Sequence, residues 1–257
     1  MDIKWVVRTS DIRAIQHLLG STSKKKFVRD RLRRNVTGKP FRFSRERFWR
    51  VMMGCLMTTQ QKSGPDSAVA RFMRIEPFPL RLSTCSKLGV RGLVRRKLSK
   101  FGGIRRGPTI AKQAAANYRW LEAGGWKLVA EQYENLLKRR ARAPQEGDRE
   151  VERSAATFIA ENLNGFGPKQ ARNLWQGLGM TRYEIPLDSR ITKWLNENVL
   201  GLKLNSTVLG DRAYYEFVLD GIEALCSKAR VLPCVLDGAI FSSFDREWSA
   251  TELKDSA

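Results

Sequence analysis

Apolar residues recur at helical spacing along nearly the whole chain. Ile12, Ile15, Leu18 and Leu19 follow Asp11, the expected N-cap, and Gly20 is the expected stop. From Arg45 to Gln61 the apolar positions are Phe48, Val51, Met52, Cys55 and Leu56, one face of a helix. A shorter helix with Val69, Phe72 and Met73 follows the turn Ser63-Gly64-Pro65. The same spacing predicts helices over 85–101, 108–121, 126–137, 189–198 and 211–227, and a last one beginning near Pro233. Lys138 to Arg149, with Pro144 and Gly147, reads as a polar linker. Only Ile3-Lys4-Trp5-Val6-Val7 suggests an extended piece, either a strand or a core anchor. The class predicted is all-α.

The most informative stretch runs from Leu163 to Arg190. Ala155, Phe158, Ile159 and Leu163 form the stripe of one helix, and Gly165-Phe166-Gly167 then makes a tight hairpin. Pro168 opens the next helix, where its missing N–H costs nothing. Ala171, Leu174, Trp175 and Leu178 are that helix's apolar stripe, so Trp175 is expected in the core. Lys169, Asn173 and Gln176 lie nearly opposite the stripe and should project away from it. The extended piece Ile185-Pro186-Leu187 ends on Asp188, which begins another helix. Glycines that uncover backbone amides at a helix N-terminus make an anion site suited to a phosphate.

Charge sharpens this picture. The 257 residues hold 47 Lys and Arg against 26 Asp and Glu, a net +21, which points to a polyanionic partner. No apolar run approaches transmembrane length and the N-terminus lacks a signal-peptide core. Nucleic acid is therefore expected as the partner rather than membrane, in the cytoplasm with the nucleoid or in a eukaryotic nucleus. The basic run Lys24 to Arg34, around Phe27, Val28 and Leu32, reads as a phosphate-facing surface more than a merely solvated one. Gly102-Gly103-Ile104-Arg105-Arg106-Gly107-Pro108 is a second Gly-rich basic turn able to hold a phosphate. Cys55, Cys85, Cys226 and Cys234 have no paired spacing and read as small buried residues, and the lone His17 cannot build a metal centre. No metal and no cofactor are expected.

The string LNGFGPKQARNLWQGLG followed by EIPLDSRITKWL resembles the helix-hairpin-helix DNA glycosylase superfamily, which includes endonuclease III and the 8-oxoguanine glycosylases, and is most similar to the archaeal-type and thermostable 8-oxoguanine glycosylases. Bifunctional members carry a Lys two positions after the hairpin glycines and an Asp after a Pro-apolar pair. Lys169 and Asp188 stand there, nineteen positions apart. The match departs at Arg190, where many members carry His. It departs again at the cysteines, since endonuclease III-like enzymes often carry four for an iron–sulfur cluster and only Cys226 and Cys234 lie in that region. No cluster is expected.

The resemblance implies a two-lobed helical fold with the active cleft between the lobes. Residues 41–188 would form a central barrel of six helices that includes the helix-hairpin-helix at about 152–179. Residues 1–40 and 189–257 would form the other lobe. It further implies a monomeric base-excision repair glycosylase and abasic-site lyase acting on double-stranded DNA with a damaged base. Lys169 would attack C1′ of a flipped nucleotide, and Asp188 would stabilise the sugar cation or exchange protons with the lysine. Gly165, Phe166, Gly167, Gln60 and Arg190 are the expected DNA contacts. Gln60 would fill the gap left by the flipped base, or else be a solvated helix end. For the base, 8-oxoguanine comes first and oxidised pyrimidines second, with Trp194 and Trp248 as candidate pocket walls. Two alternatives stand: a monofunctional glycosylase in which Asp188 activates water, and a non-enzymatic DNA-binding protein. Lys169 argues against the first, and keeping both Lys169 and Asp188 argues against the second.

Overall fold

The computed structural model describes residues 5–61, 63–145, 147–200 and 203–244. The α-helices among them are α1 (Thr9–Thr22), α2 (Lys26–Leu32), α3 (Arg45–Thr58), α4 (Ala68–Met73), α5 (Leu82–Leu88), α6 (Val90–Phe101) and α7 (Gly107–Trp120). They continue as α8 (Trp126–Arg140), α9 (Asp148–Asn162), α10 (Pro168–Gly177), α11 (Ser189–Asn198), α12 (Arg212–Ala229) and α13 (Pro233–Phe244). No strand occurs among the described residues, and no helix there is long and apolar enough to cross a membrane.

Local chemistry moves several boundaries from where periodicity alone puts them. Asp11 is not the N-cap of α1. It sits three residues after Arg8 and accepts the Arg8 amide at 2.8 Å, one half of a capping box. Gly20 does not stop α1, which runs on to Thr22. The single helix expected over 85–101 is two, because Gly89 takes φ +79° and breaks the ladder. Residues 5–7 are not a strand, and of them Trp5 and Val7 pack inward while Val6 is exposed. The Trp5 indole N–H donates to the Phe217 carbonyl at 3.2 Å, and a Cβ on Gly221 would meet the Trp5 ring at 2.5 Å. Ile3 and Lys4 lie outside the described residues.

Two hydrophobic clusters form. The first gathers residues of α3 to α10 around Phe48, Trp49, Tyr133 and Trp175. The second gathers α1, α11, α12 and α13 around Ile15, Tyr215, Ile222 and Ile240. Ile185 and Leu187, which the sequence division gives to the central lobe, pack into the second cluster. The chain therefore changes lobes over residues 181–184, and that crossing is densely bonded. Glu152 accepts the amides of Arg182, Tyr183 and Glu184 at 2.7–2.9 Å. The buried Glu184 carboxylate pairs with Arg172 at 2.6 Å and Arg153 at 3.0 Å. All four cysteines are free and buried, Cys226 and Cys234 within the second cluster.

Candidate active site

The hairpin after α9 is shaped by one indispensable glycine. Gly165 has φ +85°, and a Cβ there would meet the Gln113 side chain at 2.6 Å. Asn117 of α7 clamps the turn from below, donating to the Asn164 carbonyl at 3.1 Å and accepting its amide at 2.7 Å. Phe166 is the anchor: its ring is buried in the first cluster and its amide is bonded to the Leu163 carbonyl. It is therefore not an exposed contact as the sequence suggests. Gly167 faces open space at an ordinary φ of −94°, so its missing side chain serves to leave the start of α10 uncovered. The first ladder bond of α10 runs from Ala171 to Gly167. The amides of Gly165, Gly167, Lys169 and Gln170 donate to no acceptor among the described residues, which leaves an amide cluster at the lip of a groove.

Lys169 follows Pro168 on the first turn of α10, and its amine makes no ion pair or hydrogen bond among the described residues. Across from it, Asp188 caps α11, its Oδ1 accepting the amides of Arg190 at 2.9 Å and Ile191 at 3.2 Å. Its Oδ2 lies 3.4 Å from Arg190 Nη1. Lys169 and Asp188 both line a cleft of about 590 Å³ between the lobes. They also line the outer groove, which holds Thr58, Thr59, Gln60, Gly165, Gly167, Gln170 and Arg190. Of the residues selected from sequence, only Phe166 is turned away. Gln60 stands exposed at φ +59° just beyond α3, and Arg190 also stacks on Phe241 at 4.3 Å.

The inner wall of the cleft comes from the second lobe. Phe27 of α2 and Phe241 of α13 stack with centroids 4.7 Å apart and planes 17° from parallel. Asp237 pairs with Arg31 below them, both nearly buried. Burial raises the Asp237 carboxyl above the usual range; Arg31 opposes the rise and Asp188 adds to it. The Arg34 guanidinium is pushed down to about 9 by burial and then by Arg31 and Arg47. Several cations of the basic run at α2 are thus matched within the protein, while Lys24, Arg29 and Arg33 stay exposed. Arg31 is buried on Asp237, Lys26 and Arg33 pair with Asp30, and Lys25 donates to the Ser242 carbonyl at 2.7 Å. Gln176, expected to point outward, is 1% exposed because the second lobe covers the far side of α10. Burial pushes the Cys55 thiol up to about 12 even with Lys169 near it, so it stays a neutral packing group.

Three residues that hold the cleft together have no signature in the sequence. Arg140, at the end of α8, donates to the carbonyls of Gly179, Val36, Arg34 and Gly38 at 2.8–3.2 Å. It fixes the turn after α2 that walls the cleft. Asn35 in that turn donates to the carbonyls of Gln176 and Thr181 at 3.2 and 2.9 Å. Gln170 ties α10 to the end of α3 through Thr59 at 3.0 Å. Trp194 lies in the second cluster and not on the cleft, and Trp248 lies outside the described residues.

The two helical lobes, the hairpin and the acid-capped helix together have the fold of solved 8-oxoguanine DNA glycosylases. The 8-oxoguanine DNA glycosylase of Methanocaldococcus jannaschii has a similar structure, with a TM-score of 0.62 at 17% identity over 91% of this chain and 92% of that one. A structure of the 8-oxoguanine glycosylase/lyase of that organism, in complex with 15mer DNA containing 8-oxoguanine, gives 0.60 at 17% identity over 90% and 94%. No family model and no curated protein matches the chain.

Proposed function

We propose that the protein is a DNA glycosylase with abasic-site lyase activity that removes 8-oxoguanine from double-stranded DNA. One observation carries the proposal: the Lys169 amine and the Asp188 carboxylate line the same interlobe cleft, under a lip of unspent hairpin amides. A binding protein needs the amides alone. The amides hold a phosphate beside the lesion, the nucleotide flips into the cleft, and Gln60, which lines the outer groove, fills the vacated stack. The Lys169 amine attacks C1′ as the N-glycosidic bond breaks, and the base departs with the bonding pair and takes up the proton that the attacking nitrogen sheds. Asp188 stabilises the positive charge growing on the sugar. Opening of the sugar ring gives a Schiff base, and loss of a C2′ proton then expels the 3′ phosphate.

The cleft wall supports a guanine-type base over an oxidised pyrimidine. Phe27 and Phe241 offer aromatic surface to a bicyclic base. The Asp237 carboxylate is an acceptor for the adjacent N–H donors that a guanine edge presents.

Borohydride should trap a covalent protein–DNA adduct on duplex containing 8-oxoguanine, and on an abasic duplex without need of the right lesion. Lys169→Gln should lose both adduct and strand cleavage while still binding DNA. Undiminished trapping in that variant would place the nucleophile elsewhere. Excision by the wild type without any trapping would mean that Asp188 activates water instead.

A further inference from the structure

Between Pro77 and Leu121 the chain carries eleven lysines and arginines and no aspartate or glutamate. These 45 residues hold eleven of the protein's net 21 positive charges. All eleven side chains except that of Arg106 are exposed, and none forms an ion pair or hydrogen bond with another described residue. None lines the interlobe cleft or its outer groove. Elsewhere the cations of this protein are commonly matched, as Arg149 and Arg153 are by Glu184 and Asp220.

The densest part is α6. Val90, Leu93, Val94 and Leu98 are buried, and Arg91, Arg95, Arg96, Lys97 and Lys100 are exposed around them. Arg91 with Arg95, and Arg96 with Lys100, are like charges four residues apart, an arrangement that weakens a helix unless a polyanion lies over it. A face meant only for solubility is better served by mixed signs. The position of the helix gives this face a direction. At its C-terminal end, the Arg105 amide donates to Gln61 Oε1 at 3.0 Å, next to Gln60 on the groove rim. From there the twelve residues of α6 extend for about 18 Å, roughly five base-pair steps of duplex.

We propose that the exposed face of α6, continued by Arg81 and Lys87 around α5, is a second DNA-contact surface that holds backbone phosphates outside the lesion-binding cleft. The inference takes its partner from the reading of this protein as a DNA enzyme and is independent of the chemistry at Lys169. The phosphates belong to the flank of the duplex whose lesion occupies the cleft, because α6 leads away from the groove rim.

The test is the triple variant Arg91→Gln, Arg95→Gln, Arg96→Gln, against a control of equal charge change on the other lobe, Arg13→Gln, Lys203→Gln, Lys228→Gln. Binding is measured across salt concentrations on undamaged duplexes of about 12 and about 40 bp, lengths below and above the span of cleft plus α6. On the long duplex the α6 variant should lose at least about tenfold in affinity, and its plot of log K against log salt should be shallower by about 3, one unit for each phosphate contact removed. The short duplex and the control should change little, and borohydride trapping on a short abasic duplex should match wild type. Transfer between donor- and acceptor-labelled duplexes, lost only in the α6 variant, would assign the phosphates to a separate duplex and overturn the flank; its absence in wild type supports the flank. An unchanged salt slope, or equal losses on both lengths, overturns the proposal. A wild type that never traps would sink the lyase reading and leave this measurement standing.

Discussion

Asp188→Asn separates the two jobs that Asp188 performs in the proposed enzyme. The cap depends on Oδ1, which accepts the Arg190 and Ile191 amides. Asparagine keeps that oxygen, and it caps helices as well as aspartate does. What disappears is the negative charge. On the stability side this removes a long contact to Arg190, 3.4 Å between partners that are 22% and 19% exposed, worth at most about 1 kcal/mol. A melting shift of no more than about 4 °C should follow for a chain of this size. On the catalytic side the charge faces a developing sugar cation. At a separation of about 4 Å and an effective dielectric of about 20, that attraction is on the order of 4 kcal/mol, or a factor of about 10³ in rate. Asp188→Ala should lose the same rate and in addition about 1 kcal/mol of cap. Single-turnover excision on 8-oxoguanine duplex and thermal unfolding, run on both variants, read the two effects separately. If Asp188→Asn keeps its rate to within threefold of wild type, Asp188 is a cap and the electrostatic role is wrong. If it melts as far below wild type as Asp188→Ala does, the cap geometry has been misassigned.

Two further predictions concern the frame. Arg140→Gln should destabilise the protein by about 3–5 kcal/mol in denaturant titration, because it strands four carbonyls that one buried guanidinium satisfies; a loss below about 1 kcal/mol would show that water replaces it freely. Glu152 is pushed up to about 8 by burial, against the three amides that pull it down. The folded state therefore binds a proton that the unfolded state releases above about 4.5. The Glu152 contribution to stability should fall as pH rises from about 4.5 to about 8, with a slope of up to about 1.4 kcal/mol per unit, and then level off. Glu152→Gln should flatten the unfolding free energy over that window, and an unchanged slope in the variant would refute the assignment.

The features legible in the sequence are those carried by short-range constraints. The stripe Ala171, Leu174, Trp175 and Leu178 identifies α10 and its buried face, because helical period and burial are both local to ten residues. Gly165 is legible as a hairpin glycine because positive φ restricts residue choice, and Asp188 as a helix start because capping does. Between them these local signals place the amine, the carboxylate and the amides, which is most of the proposed chemistry. They do not place the walls around it.

The walls come from contacts between residues far apart in the chain, and one-face periodicity is blind to them. Gln176 looks solvated on the helix wheel of α10, yet α10 is covered on both sides, by the first cluster and by the lobe carrying Asp237 and Phe241. Arg140 falls where composition reads as the start of a polar linker, yet it binds carbonyls about forty and a hundred positions away. The basic run of α2 shows the same limit from the other side. Its charge density is real, but Asp30 pairs with Lys26 and Arg33 and Asp237 with Arg31, and only the second of these acids is remote. The α6 run has no acid of its own for more than ten residues on either side, and among the described residues the fold brings none to it. A like-signed surface left unmatched among the described residues calls for a partner to supply the opposite charge, and in the proposed enzyme the flank of the damaged duplex would leave the groove rim beside the C-terminal end of α6.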